Sequence, residues 1–581
     1  MNKWVKLVVT SALSCMILAG CSSKPSTDKN ETNNGGTKTE GVANPAKARN
    51  TKDNLVIGDN TSQMKGQFLP IFQDTAADGS PMALMFRGLL ISNEDGKYVP
   101  DVAESMEISE DKLTYTFKLR DDVKFHDGTP VKAEDVEFTF LASADPSYDG
   151  WHNDAVLQTV GYEEYNGDKD NKVTKMEGIK VIDEKTISFT FKEVLRNIDE
   201  FLALGIMPKH VYDKGKGNLA ETRKIMDEGK FVGNGPYKFA KYEPKQFVEF
   251  DANKDFYLGA PKISKLIIKN VPRESCASEL NVGEVDVYPG YPTKQDDIAL
   301  IQDKDFLDIE KFEGTGFSYV GFNLENPKFK DKEVRQALNY ALDKEAFVKS
   351  YFNEYATVAT NPYPTGSWAS TKELLAKLNK YEYSPEKANE MLDKAGWKRG
   401  ADGIREKDGV KLEITHLSYT ESKYVETLLP ILKSNWEAIG AKVETQLMEF
   451  GVLSDTVGKA LDGNGKPSFD TFNMGWKIGG FDPNGVNWVF RSEFAVDDGS
   501  NKTRYVNPEV DKLFDKGLKE FDEKKLQEIY GEIAIILNED CPVIFTDCAS
   551  TIDVINKRVK NWDASATVSW TTIIHKVEIA E

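Results

Sequence analysis

From residue 113 to 120 the apolar side chains Leu113, Tyr115, Phe117 and Leu119 alternate with Thr114, Thr116, Lys118 and Arg120. A two-residue period buries one face of an extended strand and wets the other, which a helix cannot do with the same residues. The run lies within residues 96–140, where Asp127-Gly128 supplies a turn, Pro130 sets an extended approach, and Ala133, Val136, Phe138 and Phe140 open the next apolar segment. The sequence TISFTF at 186–191 repeats the alternation after an Asp183-Glu184-Lys185 turn, so the two runs are expected to pair in one small antiparallel sheet.

The flanking chain alternates strand and helix patterns. Leu55-Val56-Ile57 predicts a short buried strand, and residues 81–90 a packed helix. Residues 237–242 and 247–251 form a predicted hairpin around Glu243-Pro244, followed by strand 266–271, helix 274–281 and strand 285–288. Beyond a Gly-rich extended segment near Phe312, residues 333–352 carry apolar positions at helical spacing. Ser384 with Pro385 starts another helix, which Gly396 stops. Strand 412–417, helix 424–439 and strand 443–448 follow, and helices 507–520 and 523–538 lead to a strand at 541–545. This order is that of an α/β protein with more than one core.

At the N-terminus, Lys3 and Lys6 precede an apolar run that ends at Leu18-Ala19-Gly20-Cys21. The run reads as a secretory signal peptide, too short to remain as a membrane span. Residues 22–51 are rich in Ser, Thr, Asn, Lys and Gly and poor in aliphatics, the composition of a tether. No later stretch reaches about 18 consecutive apolar residues, so the rest of the chain is expected to stand in water.

The formal charge is −20, and becomes −22 once Lys3 and Lys6 leave with residues 1–20. That balance repels phosphate backbones and argues against a nucleic-acid partner. Of five cysteines, Cys15 falls in the signal and Cys21 at its end. Cys541 and Cys548 flank a strand-like run whose seven residues hold them about 23 Å apart, beyond bridging. Cys276 could bridge either one, or all three are buried thiols.

Catalytic patterns are absent. Gly316-Phe317-Ser318 lacks the spacing of a nucleophile elbow, and Gly465-Lys466 that of a phosphate loop. The five histidines, at 126, 152, 210, 416 and 575, show no metal-ligand pairing and read as structural or surface residues. What remains is a set of aromatics at junctions: Phe317 and Tyr319 in the crossing segment, and Trp476, Phe481 and Trp488 in a Gly- and Pro-rich loop after a strand. They are either core residues or cleft residues. Trp476, at a strand end beside glycines, is placed in a cleft, because loops at strand ends carry ligands in α/β proteins.

Several blocks together resemble the family 5 extracellular solute-binding proteins, the dipeptide and oligopeptide receptors of ABC importers. They are residues 18–21, GLL at 88–90, the 100–140 block, NGPYKFAKYEP at 234–244, FNLENPKFKDKEVRQALNYALDKEAFV at 322–348, SPEKANEMLDKAGW at 384–397 and the FDTFNMGW loop. The resemblance implies a two-lobed periplasmic-binding-protein-like fold of class C type, with an extra subdomain on lobe I and a hinged cleft. Residues 52–90, 218–312 and 539–581 would form lobe I, 91–217 the subdomain and 313–538 lobe II. The crossings would lie near residues 314–319 and 538–543 and act as the hinge.

The resemblance further implies a lipid on the Cys21 thiol, attachment to the extracytoplasmic face of a bacterial membrane, a permease partner and a monomer without cofactor or catalysis. The implied ligand is an extended peptide held through its backbone. By position, Asp74, Ala76, Phe317, Tyr319, Asn473, Met474, Gly475 and Trp476 match residues lining such a cleft. The family's peptide receptors commonly place an Asp three residues after the loop Trp, where this chain has Gly479. The nearest acid, Asp482, either reaches back to a ligand amino terminus or caps the Asp-Pro-Asn-Gly turn. The alternatives to a peptide importer are a receptor for a nickel chelate or other non-peptide solute, and a surface peptide or pheromone sensor. A secreted hydrolase would need the motifs found missing above.

Overall fold

The structure is a computed structural model that describes residues 44–46, 53–59, 64–73, 75–150, 154–478 and 481–580. The signal, Cys21 and most of the tether therefore lie outside the described residues, as do Asp74, His152 and Gly479.

Two large sheets organise the body. The first has seven strands in the order Leu307–Phe312, Thr551–Asn556, Val287–Tyr288, Asn54–Asp59, Lys265–Asn270, Phe247–Ala252 and Tyr237–Glu243. Its middle is parallel, with Leu55 beside Leu266 and Ile57 beside Ile268, and all four are buried. Parallel neighbours require a crossover, so the chain leaves the sheet after Asp59 and rejoins it at Tyr237 before reaching Lys265–Asn270. Part of that excursion is a subdomain with its own core. Ala103–Ile108, Thr114–Leu119, Thr186–Thr190 and Ile179–Asp183 form a four-stranded antiparallel sheet, with Tyr115 opposite Phe189 as the alternation predicts. Tyr115, Phe117, Leu119 and Phe189 face inward against the helix Ala133–Ser143.

The second sheet runs Ala356–Val358, Val543–Ala549, Gly316–Phe322, Thr471–Lys477, Glu413–Tyr419 and Lys442–Met448. Both faces are covered, one by a core that includes Trp436 and Val320, the other by one that includes Phe472 and Tyr530. The helix Lys423–Ala438 links the parallel strands Glu413–Tyr419 and Lys442–Met448, and its fully buried Trp436 donates Nε1–H to the Leu338 carbonyl at 3.0 Å. The molecule is thus an α/β protein of two lobes, one sheet at the centre of each.

Three details differ from the sequence reading, and a fourth decides between two alternatives it left open. The single helix expected over 333–352 is two, Lys332–Tyr340 and Lys344–Tyr351, because Asp343 turns out of helical geometry and caps the second by accepting from the Ala346 N–H. The helix expected at 81–90 is Ala76–Met85, with Pro81 inside and Thr75 as cap, and Leu90–Ser92 is a strand. The return to lobe I falls near Ser550 rather than at 538–543. Val543–Ala549 is sandwiched between two lobe II strands, and Thr551–Asn556 is already in the first sheet. Cys276, Cys541 and Cys548 are buried free thiols, so Cys276 forms no bridge. No helix among the described residues is long and apolar enough to cross a membrane.

The blocks that carried the resemblance act mainly as scaffold. Asn234 exchanges hydrogen bonds with the Arg87 backbone, and buried Arg87 pairs with Asp101 at 2.7 Å, which also accepts from the Tyr257 hydroxyl. Arg335 donates to the carbonyls of Phe329, Lys330, Asp540 and Cys541, placing a guanidinium at the C-terminus of the helix Glu523–Asp540. A cation there offsets the unpaired carbonyls of the last turn.

Candidate functional site

The chain passes from lobe I to lobe II through residues 313–315 and back through Ser550, so the two crossings are neighbours. At Gly314 a Cβ would lie 1.9 Å from the Ala549 carbonyl oxygen, and only a glycine lets the crossings touch. Just inside lobe II, Ser318 donates to the Asp547 carboxylate at 3.1 Å, linking the strands that leave both crossings.

The strand Thr471–Lys477 ends beside these crossings, since Gly316 pairs with Lys477. One of its edges is paired throughout with Gly316–Phe322. The other pairs with Glu413–Tyr419 only at His416 with Thr471 and Leu417 with Phe472. Beyond that point the two strands fork, and Met474 to Lys477 keep a free backbone edge among the described residues. Gly475 is exposed there, with Met474 and Trp476 half-buried to either side. The fork also leaves two buried polar groups without partners among the described residues, Ser418 Oγ and Asn473 Nδ2. The oxygen of the Asn473 amide faces His416 Nε2 at 3.1 Å, and His416 Nδ1 lies 2.9 Å from the Thr471 hydroxyl. Burial pushes His416 down to about 4, so the ring is neutral at pH 7.

Trp476 is fixed by Nε1–H donation to the Gly485 carbonyl at 2.9 Å, which ties the strand end to the short turn Pro483–Val486. Asp482 caps that turn, accepting from the Asn484 N–H at 2.8 Å. The same carboxylate takes a bidentate ion pair from Arg196 of the lobe I subdomain, at 2.7 and 2.8 Å. The cap is one of the two roles the sequence leaves open for Asp482, whereas the cross-lobe partner is not visible as a pattern, because Arg196 and Asp482 stand 286 positions apart.

The predicted site residues separate into three groups. Asn473, Met474, Gly475 and Trp476 come together at the fork, with Asp482 in the adjoining turn. Phe317 and Tyr319 lie in the neighbouring strand, but their rings are buried in the lobe II core against Phe545 and Phe472. Both edges of that strand are already paired along most of its length. Ala76 is exposed on the first turn of its helix. Ser418, His416 and Arg196 border the same region and were missed, since none belongs to a motif. The other described histidines hold structure: His126 lies between Gly233 and Gly235, His210 pairs with Asp127, and the His575 ring meets Phe256. Among the described residues no three His, Cys, Asp or Glu side chains converge to hold a metal ion.

A family model described as bacterial extracellular solute-binding proteins, family 5 Middle, matches residues 97–498. The chain is similar to the oligopeptide-binding protein AppA of Bacillus subtilis (strain 168), 28% identical over 449 residues that cover 76% of this chain and 77% of that protein. The solved structure of AppA from Bacillus subtilis in complex with a nonapeptide superposes with a TM-score of 0.72 at 25% identity, over 91% of this chain and 99% of that one. The structure of NikZ from Campylobacter jejuni in complex with Ni(L-His) gives a TM-score of 0.73 at 28% identity, over 91% and 100%.

Proposed function

Because this chain belongs to the bacterial extracellular solute-binding proteins of family 5, we propose that it captures extended oligopeptides between its lobes and delivers them to the permease of an ABC importer. The observation that carries this reading is the free edge from Met474 to Lys477. An exposed run of N–H and C=O groups beside the lobe crossings accepts a further strand, and pairing through the backbone is indifferent to side-chain identity. Trp476 and Met474 flank that edge with apolar surface for the ligand's side chains. Ligand that bridges both lobes would favour the closed population, the form a permease can distinguish.

Cys21 as a lipid-bearing residue holds the protein to the outer face of the membrane, with the following residues as tether, and the body works as a monomer. Two acyl chains suffice for stable attachment where one does not. A Cys21→Ala variant that still partitions with membranes would remove the anchor from this picture.

A second reading, a receptor for a metal chelate, is favoured by the equal likeness to the Ni(L-His) complex. A chelate brings its own ligands and needs no protein metal site. Thermal-shift titration of the protein with peptide pools, nickel–histidine and free amino acids separates the two. Ligand at about 100 times its Kd stabilises the folded state by about 2.7 kcal/mol. Peptides are expected to raise the Tm; stabilisation by the chelate alone would replace the peptide reading.

A further inference from the structure

Both oxygens of Asp482 are engaged within the protein. One oxygen accepts from the Asn484 N–H and from Arg196 Nη2, the other from Arg196 Nη1. Arg196 is held from several sides. Its backbone N–H donates to the Leu518 carbonyl of lobe II at 2.8 Å, its guanidinium lies 5.7 Å from the Trp368 ring centre, and its side chain is 15% exposed. The remaining guanidinium nitrogen, Nε, is buried and its N–H has no acceptor among the described residues. The surroundings therefore contain a carboxylate already neutralised by an internal cation, and a donor still open.

We propose that Arg196 is a specificity-determining residue that stands in for a ligand's cationic group at Asp482. The ligand end received beside the Trp476 turn is then one that offers an acceptor, a peptide carbonyl or a carboxylate, and not a free ammonium. This deepens the peptide reading above and rests on it. The physical ground is competition: an ammonium reaching Asp482 meets a carboxylate whose charge is already offset by a bidentate, charge-assisted, partly buried pair, and an Arg fork matches a carboxylate better than an ammonium does. A blocked or acidic end has no such competitor and can meet the guanidinium where it is exposed.

The test is calorimetric titration of the full chain in detergent with AAFAA and its N-acetylated form, for the wild type, Arg196→Gln, Arg196→Lys and the double variant Arg196→Gln/Asp482→Asn. Wild type is expected to bind the acetylated peptide at least as tightly as the free one. Arg196→Gln frees Asp482 and should shift the affinity ratio roughly tenfold toward the free-amino peptide. Removing the freed acid in the double variant should return the ratio to that of the wild type, and Arg196→Lys should stay near it. If Arg196→Gln fails to fold, Asp482→Asn alone decides: it should leave the ratio unchanged, and a selective loss of the free-amino peptide would overturn the proposal. Binding with the same ratio in wild type and Arg196→Gln overturns it as well. Failure of both peptides to bind any folded variant overturns the peptide reading and this proposal together, and so is told apart from failure of the proposal alone.

Discussion

The Asp547 carboxyl is 1% exposed and accepts from the Tyr424 hydroxyl at 2.8 Å, the Thr546 hydroxyl at 3.0 Å and Ser318 at 3.1 Å, with no Lys or Arg in ion-pair range among the described residues. Burial pushes it up to about 6, and the hydroxyl donors only partly oppose the shift. Since the folded value lies above the unfolded one of about 3.9, the protonated acid is favoured by folding; that stability is present below about pH 4 and is lost as pH rises through about 6. Asp547→Asn removes the ionisation while keeping groups that can bond Tyr424 and Ser318. Its stability relative to wild type should therefore rise between pH 4 and pH 7.5, by up to about 3 kcal/mol, in urea denaturation at the two pH values. An equal difference at both would show that the carboxyl is not strained by its surroundings. At the fork the opposite rule applies. Ser418 Oγ has no partner among the described residues, so Ser418→Ala should leave the urea midpoint unchanged or slightly higher, whereas Asn473→Ala strands His416 Nε2 and should cost about 1–3 kcal/mol.

Among elements, the two crossings are the least tolerant of added volume. Gly314→Ala drives a Cβ into the Ala549 carbonyl, a backbone atom that cannot rotate away, so a loss of about 1–3 kcal/mol is expected in thermal or chemical unfolding. A Gly128→Ala control differs in kind: it meets no neighbouring atom within 4 Å but holds a positive φ of 90°. Most elements were legible because their residues agree with local rules. The strand at 114–119 alternates, Ser384 caps the helix Pro385–Lys394 through the Lys387 N–H, and the pattern around 412–448 resolves into strand, helix and strand. The misreadings occurred where a single polar residue overrides a periodic pattern. Val334, Ala337, Ala341 and Val348 keep helical spacing across a break that Asp343 makes by capping, and the break is invisible to apolar periodicity. The second crossing lies about ten residues later than the sequence suggests for a related reason. Residues 543–549 are almost wholly buried, and a continuous apolar run does not say which sheet it enters.

For the whole molecule, the lobes meet at a second place besides the crossings, a seam between the subdomain and lobe II. Arg196 reaches Leu518 and Asp482, the Leu518 side chain packs against the subdomain core, and the Lys112 ammonium lies 3.6 Å from the Phe521 ring centre. Lys97–Glu523 and Lys519–Glu193 add ion pairs at its rim. None of this was legible, because every partner lies about 300 or more positions from its mate and no local pattern marks a contact between separate cores. The strand that carries Trp476 could be found; the Arg196 beside its turn could not. The seam's parts should not weigh equally. The rim pairs are mostly exposed, and exposed pairs contribute about 0–1 kcal/mol, less as salt screens them. Leu518 removes apolar surface from water at about 0.8 kcal/mol per buried CH₂, and salt does not weaken that term. Leu518→Ala should therefore widen the interlobe distance distribution, read by energy transfer between dyes on the two lobes, more than Lys97→Ala and Lys519→Ala combined. The ranking should hold and grow at 0.5 M salt. A seam loosened more by the lysine variants, with the effect vanishing in salt, would mean that charge rather than apolar contact holds the lobes together.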